Sequence, residues 1–334
     1  MPSAETSNSS RSRNRNRSGS ESESKGKSKS AGLFPGQGSQ YPGMGRALYG
    51  RFAPVRELFQ RAGELLGWDL WGLCEGGPEE RLRETHRSQP AIYTLSYATY
   101  KLLREAGWEP EMVAGHSVGE FAALAAAGGL SFEEGLRVVA KRAELMAQAA
   151  ARNPGAMLAV LGAPTEAVEE RVKALQRWGV IEVANYNCPG QVVVSLERGL
   201  LERAREELAA LAGKVVELPV SGAFHSPLMR EAQAGFAEFL SQVDFRRPRI
   251  PILLNATLAP SRDPEEIKEA LIVQLTGPVR WQQVMEKLLN MGFRTFIEVG
   301  PKDVLTKLAR RIDRTCRALA TDGREPEGVI RELN

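Results

Sequence analysis

A serine with the surroundings of a nucleophile stands near the end of the first third of the chain. Ser117 lies in a G-x-S-x-G motif at 115–119, between a short apolar run and a helix-forming run. In the context of strand, sharp turn and helix, this motif exposes the serine hydroxyl at a helix N-terminus. Free N–H groups and the helix dipole favour developing negative charge there. The sequence therefore predicts that Ser117 is a nucleophile and that the N–H of Val118 is an oxyanion donor.

A serine nucleophile needs a base, and the chain contains three histidines. His116 adjoins Ser117 and is too close along the chain to reach over the turn to its hydroxyl. His86 lies in a polar stretch that is typical of an exposed or capping side chain. His225 lies in a loop between a predicted strand and a predicted helix, where a rigid scaffold can hold a catalytic group. We therefore predict that His225 is the base.

A glycine-rich loop at 34–40 supplies a further candidate. Gly36 and Gly38 allow the backbone to approach a ligand closely, and the N–H of Gln37 between them is suited to be a second oxyanion donor. By itself the pattern is equally typical of an ordinary turn.

An arginine falls where the pattern of a helix calls for an apolar residue. In the helical pattern at 131–150, Arg142 lies three residues after Val139 and four before Met146, both on the apolar stripe. A guanidinium turned toward the interior needs an anionic partner. The sequence leaves two partners open, a carboxylate of the protein and the carboxylate of a substrate held by two parallel hydrogen bonds.

These residues require a scaffold, and the alternation of short apolar runs with helical patterns from Ala31 onward predicts an α/β fold. The predicted strands are Gly32–Phe34, Met112–Ala114, Met157–Leu161, Glu182–Asn185, Val192–Leu196, Val215–Leu218, Ile252–Leu254 and Thr295–Val299.

One stretch has an order of its own. From Met157 to Leu218 the elements read strand, helix, strand, strand, helix, strand, which is the order of a ferredoxin-like unit. We therefore expect a small ferredoxin-like subdomain, 153–219, inserted in a discontinuous catalytic domain formed by 31–152 and 220–334.

Composition and charge exclude several classes of protein. The 334 residues are 43% hydrophobic and 25% charged, as in globular proteins. No apolar run is long enough for a transmembrane helix, and three scattered cysteines fit neither a disulfide framework nor a metal site. An intracellular, cytoplasmic setting is the simplest expectation.

The segment 1–30 differs from the rest, with seven basic and three acidic side chains and no aromatic residue, Leu, Ile or Val. We expect a disordered basic tail, either a solvated extension or an arm that touches nucleic acid or a membrane surface. The remaining chain is close to neutral, so no nucleic-acid surface is expected there.

Six motifs taken together resemble a known family, the malonyl-CoA:acyl-carrier-protein transacylases of fatty acid and polyketide synthesis. The motifs, in order over nearly all of 31–311, are GQGSQ with GMG (36–40 and 43–45), GHSVGEFAAL (115–124), Arg142, GAFHSPLM (222–229), QLTGPVRW (274–281) and EVGP (298–301).

The resemblance implies an α/β-hydrolase-like large domain with a ferredoxin-like small subdomain, and roles for the site residues. Ser117 would carry the acyl group and His225 would be base and acid, oriented by the main-chain carbonyl of Gln274. Arg142 would hold the malonyl carboxylate, and the N–H groups of Gln37 and Val118 would form the oxyanion hole.

Three further positions follow from the resemblance. His116 would line the acyl site, and Phe224 would help to exclude branched acyl groups. Lys302, at a position where the family often has glycine, is a departure that we expect to touch a helix start rather than the site.

The implied function is transfer of malonyl from malonyl-CoA to acyl carrier protein through a malonyl-serine, with no metal or bound cofactor. Three rival functions remain: an acyltransferase for polyketide synthesis, a thioester hydrolase, and a scaffold without activity. Neither nucleic acid nor a membrane is an expected partner. The sequence is compatible with a monomer and leaves the oligomeric state open. A mitochondrion or plastid is the alternative compartment if the N-terminal tail is processed.

Overall fold

A computed structural model describes residues 29–211 and 213–333. The predicted tail therefore lies outside the described residues up to residue 28, and its last residue, Ser30, already begins a strand. Within the described residues the strands are β1 (Ser30–Phe34), β2 (Met112–Gly115), β3 (Gly155–Leu161), β4 (Ile181–Cys188), β5 (Gln191–Glu197), β6 (Lys214–Glu217), β7 (Ile252–Leu253), β8 (Pro260–Ser261), β9 (Thr295–Glu298) and β10 (Arg317–Ala320).

Helices fill the connections between the strands. They are α1 (Arg46–Arg51), α2 (Ala53–Leu66), α3 (Leu70–Gly76), α4 (Glu79–Arg83), α5 (Thr85–Glu105), α6 (Gly119–Ala127), α7 (Phe132–Arg152), α8 (Thr165–Leu175), α9 (Leu201–Ala209), α10 (Arg230–Leu240), α11 (Pro264–Val273), α12 (Trp281–Asn290), α13 (Val304–Ile312) and α14 (Pro326–Leu333).

The larger sheet has the strand order β10-β9-β1-β2-β7-β8 and is parallel except for the pairing of β8 with β7. The strands β1 and β2 are buried along nearly their whole length because helices cover both faces. The carboxyl ends of β1, β2 and β9 meet at one edge, from which the loops that carry the functional residues leave. The predicted α/β fold class is confirmed.

The smaller sheet is formed by the elements between Gly155 and Glu217. Its order is β4-β5-β3-β6 with every neighbouring pair antiparallel, and α8 and α9 supply the crossovers. This is the topology of a split β-α-β unit. The boundaries of the two predicted domains stay a prediction.

Main-chain hydrogen bonds connect the smaller sheet to the rest of the molecule. The N–H of Tyr186 in β4 donates to the carbonyl of Val279 at 2.9 Å, and the N–H of Val279 donates to the carbonyl of Ala184 at 2.8 Å. Val279 lies just before α12, whose buried face packs beside the parallel sheet. These two hydrogen bonds join β4 of the smaller sheet to the segment before α12, and so hold the two sheets side by side.

Candidate active site

The turn between β2 and α6 holds Ser117 in an unusual backbone conformation. Its φ is 53°, in the left-handed region that side chains rarely adopt, and such strain is concentrated at functional sites. Glycine is required on both sides of this turn because there is no room for a Cβ atom. A Cβ atom at Gly115 would collide with the main chain of Glu120, and one at Gly119 would collide with the carbonyl of Phe34. The sequence therefore folds here into a sharp turn that presents the serine hydroxyl.

The hydroxyl of Ser117 meets the imidazole of His225. The Oγ atom lies 2.8 Å from Nε2, and Nδ1 on the other side of the ring lies 2.8 Å from the carbonyl oxygen of Gln274 and 3.2 Å from that of Gly277. Carbonyl oxygens only accept, so Nδ1 carries the proton and Nε2 is free to accept the serine proton. Burial and, second, the positive charge of Arg142 lower the pKa of His225 to about 3.

The guanidinium of Arg142 reaches the same serine from α7, which a capping box at its N-terminus fixes in place. Nη2 donates to Ser117 Oγ at 3.1 Å and to Gln274 Oε1 at 2.8 Å, and Nη1 donates to Gln89 Oε1 at 2.8 Å. The side chain is 0% exposed. Within 29–211 and 213–333, no ion pair includes Arg142. Its cationic end is therefore hydrogen-bonded only to neutral groups and is free of a direct carboxylate partner among the described residues, which suits it to bind an anionic group of a ligand.

A cleft of about 390 Å³ opens in front of the serine, between the loops of the parallel sheet and one face of the smaller sheet. His116 lines this cleft, and its Nε2 lies 3.0 Å from Asn187 Oδ1 on β4. Burial lowers the pKa of His116. Phe224, next to the base, also lines the cleft. The cleft thus has apolar side chains and hydrogen-bonding side chains in its lining. This combination suits a small polar acyl group carried on a flexible chain.

The two predicted oxyanion donors flank the serine from different elements. Val118 is the N-cap of α6 and is buried, and Gln37 lies in the loop after β1 and lines the cleft. The side chain of Gln37 donates to Thr85 Oγ1 at 3.3 Å. The structure thus brings both main-chain positions next to the serine turn, while their roles in catalysis stay predictions.

One expectation from the sequence requires correction. Lys302 lies just before α13 but also lines the cleft, and its Nζ donates to the carbonyl of Gly38 at 3.0 Å. Its φ is 61°, so the backbone adopts the conformation that favours glycine at this position. The side chain of Lys302 therefore reaches the mouth of the site. Its position next to a helix start in the sequence did not indicate this.

Sequence reasoning also missed two residues that contact the arginine network. Gln89, in α5, accepts from Arg142, and Glu120, in α6, accepts from the Gln274 side chain. A signal existed for Glu120, because its helix is otherwise composed of glycine and apolar residues. An acidic side chain in such a helix has to be buried with partners.

Groups of His, Cys, Asp and Glu that could hold a metal ion are absent from the part of the chain that the structure describes. In the same part, every helix is too short or too polar to cross a bilayer.

Comparison with known proteins decides the family. Residues 33–325 match the family described as acyl transferase domain. The malonyl CoA-acyl carrier protein transacylase of Bacillus subtilis (strain 168) is 40% identical over 300 residues, which cover 89% of this chain and 94% of that protein. The chain belongs to the acyl transferase family of the malonyl CoA-acyl carrier protein transacylases. The resemblance inferred from the motifs is confirmed.

Solved structures of this acyl transferase family have the same fold. An acyl carrier protein S-malonyltransferase from Vibrio cholerae matches with a TM-score of 0.86 and 38% identity, covering 91% of this chain and 100% of that one. PlMCAT, a malonyl-transacylase in complex with the type II polyketide acyl-carrier protein AntF, matches with a TM-score of 0.89 and 36% identity, covering 92% and 100%.

A polyketide relative is similar as well. ThaF of Burkholderia thailandensis, named a polyketide biosynthesis protein, is 45% identical over 284 residues. These residues cover 84% of this chain and 24% of ThaF. A polyketide context is thus named for two of the similar proteins.

Proposed function

We propose that this protein transfers a malonyl group from malonyl-CoA to the phosphopantetheine thiol of an acyl carrier protein, through a malonyl ester of Ser117. The observation that carries the proposal is the position of Ser117 Oγ between a base and a cation, 2.8 Å from His225 Nε2 and 3.1 Å from Arg142 Nη2. The base activates the nucleophile, and the buried cation matches a substrate with a carboxylate.

The first half-reaction forms the ester. His225 Nε2 takes the proton of the Ser117 hydroxyl while Oγ attacks the thioester carbonyl carbon. The N–H groups of Gln37 and Val118 stabilise the oxyanion, and removing one donor of this kind typically costs about 2.7–4 kcal/mol in the barrier. The carbon–sulfur bond then breaks, and the departing sulfur of coenzyme A takes the proton from His225.

The second half-reaction reverses the roles. The phosphopantetheine thiol gives its proton to His225, and its sulfur attacks the ester carbonyl on Ser117. The carbon–oxygen bond breaks, and Ser117 recovers its proton from His225. Because each product leaves before the next substrate reacts, the kinetics are ping-pong.

Arg142 supplies the preference for malonyl. Its side chain is already held by Gln89, Gln274 and Ser117, so little conformational freedom remains to be lost when a carboxylate binds. A charge-assisted hydrogen bond contributes about 1.5–3 kcal/mol, which favours malonyl over acetyl by tenfold or more. His116 and Phe224 complete the acyl pocket in this proposal.

A thioester hydrolase is the rival on the same scaffold, and it differs in whether water reaches the acyl ester. Ser117 is only 9% exposed and His225 only 5% exposed, which supports exclusion of water until a thiol arrives. Intact mass spectrometry after incubation with malonyl-CoA separates the two. A malonyl adduct that persists, is absent from Ser117→Ala and disappears on adding acyl carrier protein is expected. Rapid release of malonate without carrier protein would identify a hydrolase.

The wider setting is part of the same proposal. Fatty acid synthesis is the pathway we favour, because relatives named as malonyl CoA-acyl carrier protein transacylases match along 94% of their length, and polyketide synthesis is the alternative. We propose a cytoplasmic location and a reaction without a resident cofactor, since Ser117 and His225 supply nucleophile and proton transfer. We also propose that the catalytic domain comprises 31–152 and 220–334 and that 153–219 form the small subdomain.

A further inference from the structure

A buried carboxylate lies behind the serine turn and takes no part in the mechanism above. Glu120 is the second residue of α6 and is 1% exposed. Its Oε1 accepts from the main-chain N–H of Asn255 at 2.7 Å, and its Oε2 accepts from Nε2 of Gln274. Two N–H donors match an ionised carboxylate, although burial raises the pKa of Glu120 to about 7. Burying a carboxylate costs free energy, so a buried carboxylate with two N–H donors needs a structural or functional explanation.

The side-chain amide of Gln274 connects this carboxylate to the catalytic groups. Its Nε2 donates to Glu120 and, at 3.1 Å, to the carbonyl of Ser117, whereas its Oε1 accepts from Arg142 Nη2 at 2.8 Å. An amide has one accepting end and one donating end. The two acceptors of the donating end, Glu120 and the carbonyl of Ser117, therefore turn the accepting end toward the guanidinium of Arg142.

Charge reinforces the same connection. Arg142 is fully buried, and its hydrogen-bond partners Gln89, Gln274 and Ser117 are neutral. The negative charge of Glu120 acts on Arg142 across a single amide and opposes the lowering of its pKa by burial. Glu120 thus supplies negative charge near Arg142 and is the charged one of the two acceptors that orient the Gln274 amide.

We infer that Glu120 is a positioning residue for acyl selection: through the Gln274 amide it holds the Arg142 guanidinium where the malonyl carboxylate binds. The inference rests on the proposed function and assigns to the glutamate of the G-H-S-V-G-E segment a role in choosing the acyl group.

The change Glu120→Gln tests this role with almost no change in volume. The introduced amide has one oxygen, so only one of the two N–H donors, Asn255 or Gln274, keeps an acceptor on residue 120. The main chain of Asn255 is fixed, because its carbonyl accepts from Arg280 and its side chain donates to the carbonyl of Gly115. The NH₂ group of the introduced amide therefore faces the NH₂ group of Gln274, which keeps only the Ser117 carbonyl as an acceptor. The substitution thus weakens the hold on the Gln274 amide and removes the negative charge beside Arg142.

A matched control exists at another buried carboxylate. Glu298 ends β9, is 0% exposed and accepts from the main-chain N–H groups of Leu305 and Thr306 at 2.9 and 2.8 Å. The change Glu298→Gln makes the same chemical substitution with the same burial, but it does not touch the arginine network.

The experiment measures single-turnover acylation of Ser117 by malonyl-CoA and by acetyl-CoA in the full chain, at about pH 8, above the pKa of about 7 of Glu120. The malonyl-to-acetyl rate ratio is expected to fall about tenfold in Glu120→Gln and to stay unchanged in Glu298→Gln. In the Arg142→Ala background, Glu120→Gln should not lower the ratio further, since the two residues act through one path.

The outcomes separate the inference from the proposed function. A wild-type chain that does not accept malonyl overturns the proposed function. A wild-type chain that does, with an unchanged or raised ratio in Glu120→Gln or an equal fall in Glu298→Gln, overturns the role of Glu120. If Glu120→Gln does not fold, Gln274→Leu replaces it, because it keeps the main-chain carbonyl for His225 and removes only the amide. Equal loss of malonyl and acetyl transfer there also overturns the inference.

Discussion

The Nδ1 atom of His225 lies 2.8 Å from the main-chain oxygen of Gln274. In a serine–histidine–aspartate triad a carboxylate occupies the corresponding place and stabilises the imidazolium. A carbonyl oxygen does not titrate, so it fixes the tautomer and ring orientation of the neutral His225 imidazole without depending on the ionisation of another side chain. The proposed dyad thus depends on backbone placement at the end of α11 rather than on a third ionisable side chain.

Acid stability should depend on His225. An unfolded histidine binds a proton near pH 6.5, whereas burial and Arg142 lower the pKa of His225 to about 3 in the folded chain. Between these values the unfolded state binds more protons, so stability falls as pH falls. In the wild-type chain this group should lower the free energy of unfolding by up to about 1.4 kcal/mol for each unit by which the pH falls, and we expect His225→Gln to abolish that contribution. Urea denaturation of both proteins between about pH 6.5 and pH 4 measures the difference, and parallel curves would contradict the assigned cause.

The arginine should act on the acyl group and not on the chemistry. Arg142→Ala is expected to lower malonyl transfer at least tenfold, because a charge-assisted pair contributes about 1.5–3 kcal/mol. Acetyl transfer should be kept or increased, since Ser117 and His225 remain. Initial rates with the two coenzyme A thioesters provide the measurement. An equal fall of both rates would show that Arg142 serves the nucleophile rather than the carboxylate.

The backbone at Lys302 should favour glycine over alanine. Its φ of 61° costs a residue with a Cβ atom about 1 kcal/mol relative to glycine. Both Lys302→Gly and Lys302→Ala lose the hydrogen bond to Gly38, so comparing them isolates the backbone term. Lys302→Gly is expected to be the more stable by about 1 kcal/mol in urea denaturation. If alanine is equal or better, the left-handed conformation does not exist in solution.

The close approach at Gly119 should not tolerate a methyl group. A Cβ there would collide with the carbonyl of Phe34 at the end of β1, and backbone cannot move aside cheaply. Gly119→Ala is expected to lose several kcal/mol of stability or fail to fold. The control is Gly50→Ala in α1, where a Cβ meets nothing within 4 Å and alanine is the better helix former. Thermal unfolding of the two variants makes the comparison.

The serine turn and the arginine were accessible from the sequence because local patterns encode them. A strand, two glycines and a helix-forming run specify the turn around Ser117. Helical spacing alone placed Arg142 on the buried face of α7. What spacing could not decide was its partner, because Gln89 and Gln274 come from α5 and from the residue after α11, far away along the chain.

The elements that the sequence did not predict have a different cause. The short helices α3 and α4 lie on either side of Gly77-Pro78 and are too short for a periodic pattern, so the packing of their few buried side chains stabilises them. The strand β10, Arg317–Ala320, has no clear alternation and exists because β9 offers it a parallel edge. Such segments take their conformation from distant neighbours, which a reading of local patterns does not contain.

The junction between β4 and Val279 has a consequence for how substrates arrive. Two main-chain hydrogen bonds, from Tyr186 and to Ala184, would have to break before the smaller sheet could swing outward. We therefore expect the smaller sheet to keep its place beside the parallel sheet when substrates enter, so that the cleft in front of Ser117 is formed before the substrate binds rather than closed around it.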